Sequence, residues 1–240
     1  MKPYLQTLHD KYLRGWDRQT TVILLGSALL LTLHRNYSRP RVFRNNFAIY
    51  FENLPLAESY PYFYWFLTTG LSLFLIPMLV AMIGTKEGLK DYGVRLGHQK
   101  LGWCMSLAAW IFMIPVVLLA VKLHPPFLEK YPFSKVVGNS LLAFSLYQLA
   151  YGVYMFSWEF FFRGFMLFGL EKRFGNYSIL IQTIPFAVMH FSKPLPEALG
   201  SIIAGLLLGV LALETRSFIY GAVIHWFVAI TMDTVCVVLG

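Results

Sequence analysis

Two cysteines in 240 residues leave little room for cysteine chemistry. Cys104 and Cys236 both lie in apolar runs, away from any CxxC or Cys/His spacing. They read as buried small hydrophobes, which excludes a disulfide framework and a zinc knuckle. Charge is scarce as well: Asp, Glu, Lys and Arg make up 13% of the chain, against 57% hydrophobic residues. That balance excludes an ordinary soluble domain. From Tyr62 to Ile83, and again from Gly102 to Val121, there is no charged residue at all. Runs of this kind reach the ~20 apolar residues that cross a bilayer. The expected fold class is therefore all-α, a polytopic bundle of membrane helices with no internal repeat.

The charge that is present is mostly positive, with a formal net of +8. On a soluble surface this would suggest nucleic acid. Here it falls in the connections between apolar runs, so phospholipid headgroups are the expected neighbours and nucleic acid is not. Lys2, Lys11, Arg14 and Arg18 precede the first run, and Arg35, Arg39, Arg41 and Arg44 follow it. Lys86, Lys90, Arg95 and Lys100 fill the next long loop. Summed over the loops, this bias leans towards a cytoplasmic N-terminus; the expected location is a bacterial cytoplasmic (inner) membrane.

About seven hydrophobic segments are expected. The first, Thr20 to Leu33, has 14 residues and covers only about 21 Å at 1.5 Å per residue, so it must recruit its flanks. Residues 35–61 read as a basic, then aromatic, interfacial loop, and "GTKEGLKDYGVRLG" as a water-exposed one. Asn139 to Leu170 is apolar for 32 residues, about 48 Å as one helix. That length calls for a strong tilt, an extension beyond the bilayer, or a break near Gly152. Three shorter helices follow, over Ser178–Met189, Glu197–Leu213 and Phe218–Leu239. In the middle one, Gly200, Ala204, Gly205 and Gly209 form small-xxx-small pairs that let helices approach closely. Residues 1–138 read as N-terminal membrane helices with their loops, and 139–240 as a helical core integrated with them.

Ionisable residues inside membrane helices are costly and usually face a bundle interior or a wet cavity. The second half holds few: Glu159, Arg163, His190, Glu197, Glu214, Arg216, His225 and Asp233. Glu159 and Arg163, in "WEFFFRG", are four apart on one helix face and are spaced to form a salt bridge. Alone, the pair is as well explained by structural neutralisation as by function. His190 ends an apolar helix, whereas His225 has a full apolar turn on either side. One carboxylate and two histidines from three separate helices are the ingredients of a metal site or of a general base with oxyanion donors. A transporter path uses similar groups, but the first three spans offer it almost no polar side chains.

"EFFFRGF" at 159–165, "FAVMH" at 186–190, and His225 followed by an acid in the last span come in the order of three known motifs. They resemble the EExxxR, FxxxH and HxxxN/D motifs of the CPBP intramembrane proteases, the CAAX-protease and bacteriocin-processing (Abi) group. "DYGVRLG" at 91–97 is similar to a loop often found upstream of them. The resemblance implies an intramembrane endopeptidase acting on a hydrophobic or lipidated peptide. It implies Glu159, His190 and His225 as catalytic residues, with Glu159 the base, His190 sharing its water and His225 facing the oxyanion. Arg163, Glu197 and Asp233 are supporting residues. Two cofactor states follow from the resemblance: a zinc ion on Glu159, His190 and His225, or a metal-free water activated by glutamate.

Two positions depart from the pattern. Trp158 stands where the first motif has its first glutamate, and Ala229 stands where the third has Asn or Asp. Asp233, one turn on, lies about 80° round the helix from His225 and substitutes only if that helix tilts or widens. These departures define the rival reading, a catalytically impaired homologue that binds peptide as a chaperone, immunity or partner protein.

Overall fold

A computed structural model describes residues 6–85 and 87–240. Lys2 and Lys86, counted above among the flanking cations, lie outside the described residues. Among the described residues the chain is all-helical with no strand.

Helix α1, Arg18–Tyr37, extends the first apolar run at both ends, as its shortness required. The Asp17 carboxylate caps it by accepting from the Thr20 N–H. A short helix, α2 (Pro40–Asn46), interrupts the interfacial loop. The charge-free run then forms α3 (Tyr60–Gly70), a π-type turn (Leu71–Leu75) and α4 (Ile76–Thr85) in one continuous rod. Helix α5 is Gln99–Leu123 and α6 is the short Pro126–Lys130. The long apolar stretch follows as α7 (Leu141–Glu159), a π-type segment (Phe160–Phe168) and α8 (Gly169–Phe174). Helices α9 (Tyr177–Val188), α10 (Leu195–Thr215) and α11 (Ile219–Leu239) complete the bundle.

Among the described residues, four stretches are long and apolar enough to cross a membrane: Ala57–Thr85, Gln99–Leu123, Leu195–Thr215 and Ile219–Leu239. The chain is accordingly an integral membrane protein. The remaining segments of the expected seven are helical but fall short of that standard for visible reasons. Polar residues end α1, tyrosines and Gln148 line α7, and α9 has only 12 residues.

Of the three options for the long apolar stretch, the break near Gly152 does not occur. Gly152 lies inside regular α7, where it makes room for a neighbour: a Cβ there would stand 2.8 Å from the Trp226 ring of α11. The irregularity falls later, in the π-type segment that begins directly after Glu159. Helix α10 uses its small residues as expected, with Gly205 against Thr183 and Gly209 against Ile179 of α9, although Gly200 packs against nothing. The cysteine reading needs one correction. Cys236 is buried, but Cys104 is exposed on the surface of the apolar helix α5.

The core is aromatic. Phe66, Phe160, Phe161, Phe162 and Phe165 are fully buried around α7 and the π-type segment. Phe66 stacks on Tyr151 at 4.7 Å between ring centroids, tying the α3 rod to α7. From the other side, the loop before α5 is held to the α10–α11 turn, where the Arg95 guanidinium donates to the Arg216 carbonyl at 2.9 Å. The Tyr220 hydroxyl reaches the Leu96 carbonyl at 2.6 Å in the same region.

Candidate functional site

Glu159 is the last residue of regular α7, and Arg163 sits in the π-type segment beyond it. Both side chains are 0% exposed, and Arg163 Nη1 donates to Glu159 Oε1 at 3.0 Å. The expected i, i+4 ion pair therefore forms, in a setting where neither charge would be tolerated alone. Arg163 is further fixed by Nη2 on the Ala204 carbonyl at 3.4 Å and by the Phe186 ring, 4.1 Å below its guanidinium carbon. The same Glu159 Oε1 accepts from His225 Nδ1 at 2.8 Å. One carboxylate oxygen thus receives two donors from two helices. Its other oxygen, Oε2, has no hydrogen-bond partner and lies 3.0 Å from where a Cβ at Gly221 would be. Glycine at 221 lets α11 come down onto the carboxylate.

These bonds set the state of both histidines. A carboxylate only accepts, so His225 donates from Nδ1, and in its neutral form Nε2 is an acceptor. His190 Nδ1 donates to the Phe186 carbonyl at 2.7 Å, which likewise frees its Nε2. The two rings are nearly parallel, 17° between planes with centroids 6.5 Å apart. Trp158 stands edge-on to His190 at 5.8 Å and stacks on Tyr154 at 5.4 Å.

Both histidines open onto one cavity of about 260 Å³, whose wall also includes Trp158 and Ala229. The two positions that depart from the motif pattern therefore face the same space as the two motif histidines. Glu159 is not on this wall: it lies behind His225. Asp233 is not on it either. It is 0% exposed and accepts from Gln148 Nε2 at 2.7 Å. Helix α11 is α-helical from Ile219 to Leu239, so the widening that would swing Asp233 towards His225 does not occur.

The carboxylate that does reach the cavity is Glu197. Both its oxygens lie 2.8 Å from the Tyr131 hydroxyl, and Lys193 Nζ pairs with Oε1 at 3.2 Å. Lys193 also donates to the Tyr131 oxygen. Burial pushes the Tyr131 phenol well up, with the Glu197 carboxylate adding to it, so Tyr131 stays protonated and a donor. Burial pushes the Lys130 ammonium down, and the like charge of Lys193 lowers it further.

Sequence reasoning passed over several residues of this cavity. Tyr151 and Tyr154 sit at helical spacing on the face of α7 that also carries Trp158, a signal that was visible but reads equally as core packing. Arg39, Lys130 and Tyr131 come from connections distant in sequence, where no period could have placed them.

The donor set does not fit a zinc ion on Glu159, His190 and His225. Both histidines keep Nε2 for a ligand, but Glu159 is off the cavity wall, its Oε1 already takes two hydrogen bonds, and its Oε2 lies against Gly221. Among the described residues no three His, Cys, Asp or Glu side chains gather as a metal-binding group.

Comparison with known families gives one result. Residues 140–231 match the family model described as Type II CAAX prenyl endopeptidase Rce1-like. The matched span contains Glu159, Arg163, His190 and His225, so the resemblance read from the three motifs stands in the helices that form the site. No curated protein and no solved structure matches the chain.

Proposed function

We propose that this chain, Rce1-like over residues 140–231, is an intramembrane endopeptidase that hydrolyses a hydrophobic or lipidated peptide in a bacterial cytoplasmic membrane. The observation that carries the reading is the shared oxygen of Glu159, which takes Arg163 from one side and His225 from the other while His225 opens onto the cavity of His190. In this arrangement the base role passes from Glu159 to His225. Its Nε2 takes a proton from water as the water oxygen adds to the scissile carbonyl. Glu159, held by Arg163, keeps the imidazole oriented and stabilises the imidazolium that forms. His190 Nε2 accepts the water's second hydrogen and fixes its direction of attack. Lys193 and Tyr131, on the same wall, offer donors to the developing oxyanion. Collapse of the tetrahedral intermediate breaks the C–N bond, and the imidazolium returns its proton to the leaving amine. Each step uses side chains alone.

The basic loops suit an anionic leaflet, which supports phospholipids as the surrounding partners. The test is cleavage of an S-prenylated peptide by the full chain in lipid vesicles, with the products identified by mass spectrometry. His225→Ala and His190→Ala should each lower the rate by about 10² to 10⁴. Undiminished cleavage by His225→Ala would remove the assignment.

One observation favours a second reading. Trp158 and Ala229 line the cavity where the motif pattern has an acid and an Asn or Asp. A protein of that kind would hold the peptide without cutting it. Recovery of intact, tightly bound peptide from the wild-type chain would select it.

A further inference from the structure

Three cations face the cavity, Arg39, Lys130 and Lys193, against one carboxylate, Glu197. Lys193 and Glu197 neutralise each other. Among the described residues Lys130 donates to a neutral group, the Ser192 carbonyl. Arg39 has no hydrogen-bond or ion-pair partner for its guanidinium among the described residues, and its Nε is buried and unpaired. What holds it is the Trp65 ring, 5.2 Å from the guanidinium carbon. A guanidinium held over an indole by its cationic carbon keeps its fork of N–H donors free for a planar anion. From Trp65 an aromatic ladder leads to the histidines: Trp65 to Tyr154 at 5.1 Å, Tyr154 to Trp158 at 5.4 Å, Trp158 to His190 at 5.8 Å. A peptide tail of a few residues, at roughly 3.3 Å per extended residue, covers such a span.

We infer that Arg39 is a specificity-determining residue that binds the free C-terminal carboxylate of the peptide, with Lys130 as the second cation. This deepens the endopeptidase reading and rests on its assignment of the cavity to a peptide. Arg39 and Lys130 lie outside the matched residues 140–231, so this anchor belongs to the rest of the chain. A phospholipid headgroup offers the same kind of anion to Arg39. Only a carboxylate-ended peptide, however, also presents a backbone carbonyl to the histidine pair.

The test measures binding and needs no turnover, so it can fail while proteolysis stands, and the reverse. The full chain in nanodiscs of zwitterionic lipid is titrated with a fluorescent S-prenylated hexapeptide of otherwise aliphatic residues, made with a C-terminal carboxylate or with a carboxamide. Wild type should bind the carboxylate form about tenfold more tightly. Arg39→Gln should erase that difference by weakening the carboxylate form alone, and Arg39→Lys should restore part of it. Equal binding of both forms by wild type overturns the inference, as does equal weakening of both by Arg39→Gln or no binding of either. Displacement of both peptides alike by added phosphatidylglycerol assigns Arg39 to a lipid headgroup instead and also overturns it. A thermal melt of each variant in detergent identifies any that has merely unfolded, and Arg39→Lys then carries the comparison.

Discussion

Two acid–base pairs four residues apart sit on either side of the histidines. Glu159 and Arg163 are sealed at 0% exposure, whereas Lys193 and Glu197 at the cavity are 15% and 25% exposed. The spacing is identical and the consequences are opposite. The sealed pair cannot exchange partners with water, so its geometry is fixed and its value lies in orienting His225. The cavity pair can be hydrated and can trade partners with an incoming peptide, so its value lies in being rearranged. Environment, and not spacing, separates a scaffold from a contact surface.

Breaking each pair from its basic side should expose the contrast most strongly. Arg163→Met leaves the Glu159 charge buried with only His225 to meet it, and should lower stability by about 3–5 kcal/mol. Lys193→Met leaves Glu197 with Tyr131 and access to water, and should cost no more than about 1 kcal/mol. Unfolding of both variants in one detergent checks the difference, and equal losses would erase the distinction between the pairs. A smaller effect is expected from Gly221→Ala, whose new Cβ would press on Glu159 Oε2 at 3.0 Å. The carboxylate can yield only by straining the Arg163 and His225 bonds to its other oxygen, so a loss of about 1–3 kcal/mol is expected, together with a weaker His225 contact. Histidine ¹⁵N chemical shifts report that contact, and an unshifted His225 Nδ1 signal in the alanine variant would argue against the tight fit.

The sealed pair was largely legible in the sequence. Its spacing on one helix fixes the contact between Glu159 and Arg163, and the rarity of charge nearby marks His225 as something other than packing. Which way Glu159 faces was not legible. That depends on how α11 lies across α7, which Gly152 and Gly221 permit by close approach, and on the π-type segment that changes the helical register after Glu159. Asp233 looked like a substitute for the third-motif acid by position alone, yet Gln148, a turn above Tyr151 on α7, claims it. Helix positions came through well because apolar runs fix them, within a few residues at each end. The cavity did not, because it is closed by Arg39, Trp65 and Tyr131 from the first 138 residues against His190 and His225 from the remainder. Contacts over such separations leave no local pattern.

A further small change concerns the link that keeps the cavity pair adjustable. Tyr131 donates to Glu197 and accepts from Lys193, so one hydroxyl mediates between the two charges. Tyr131→Phe removes that oxygen and keeps the ring that packs on Phe133 at 5.0 Å. Glu197 retains Lys193 and water, so stability should fall by only about 0.5–1.5 kcal/mol. If the Tyr131 hydroxyl were instead part of a rigid scaffold, its loss would approach that of Arg163→Met. Denaturation of Tyr131→Phe beside Arg163→Met measures directly whether the cavity cluster is built to move or built to hold.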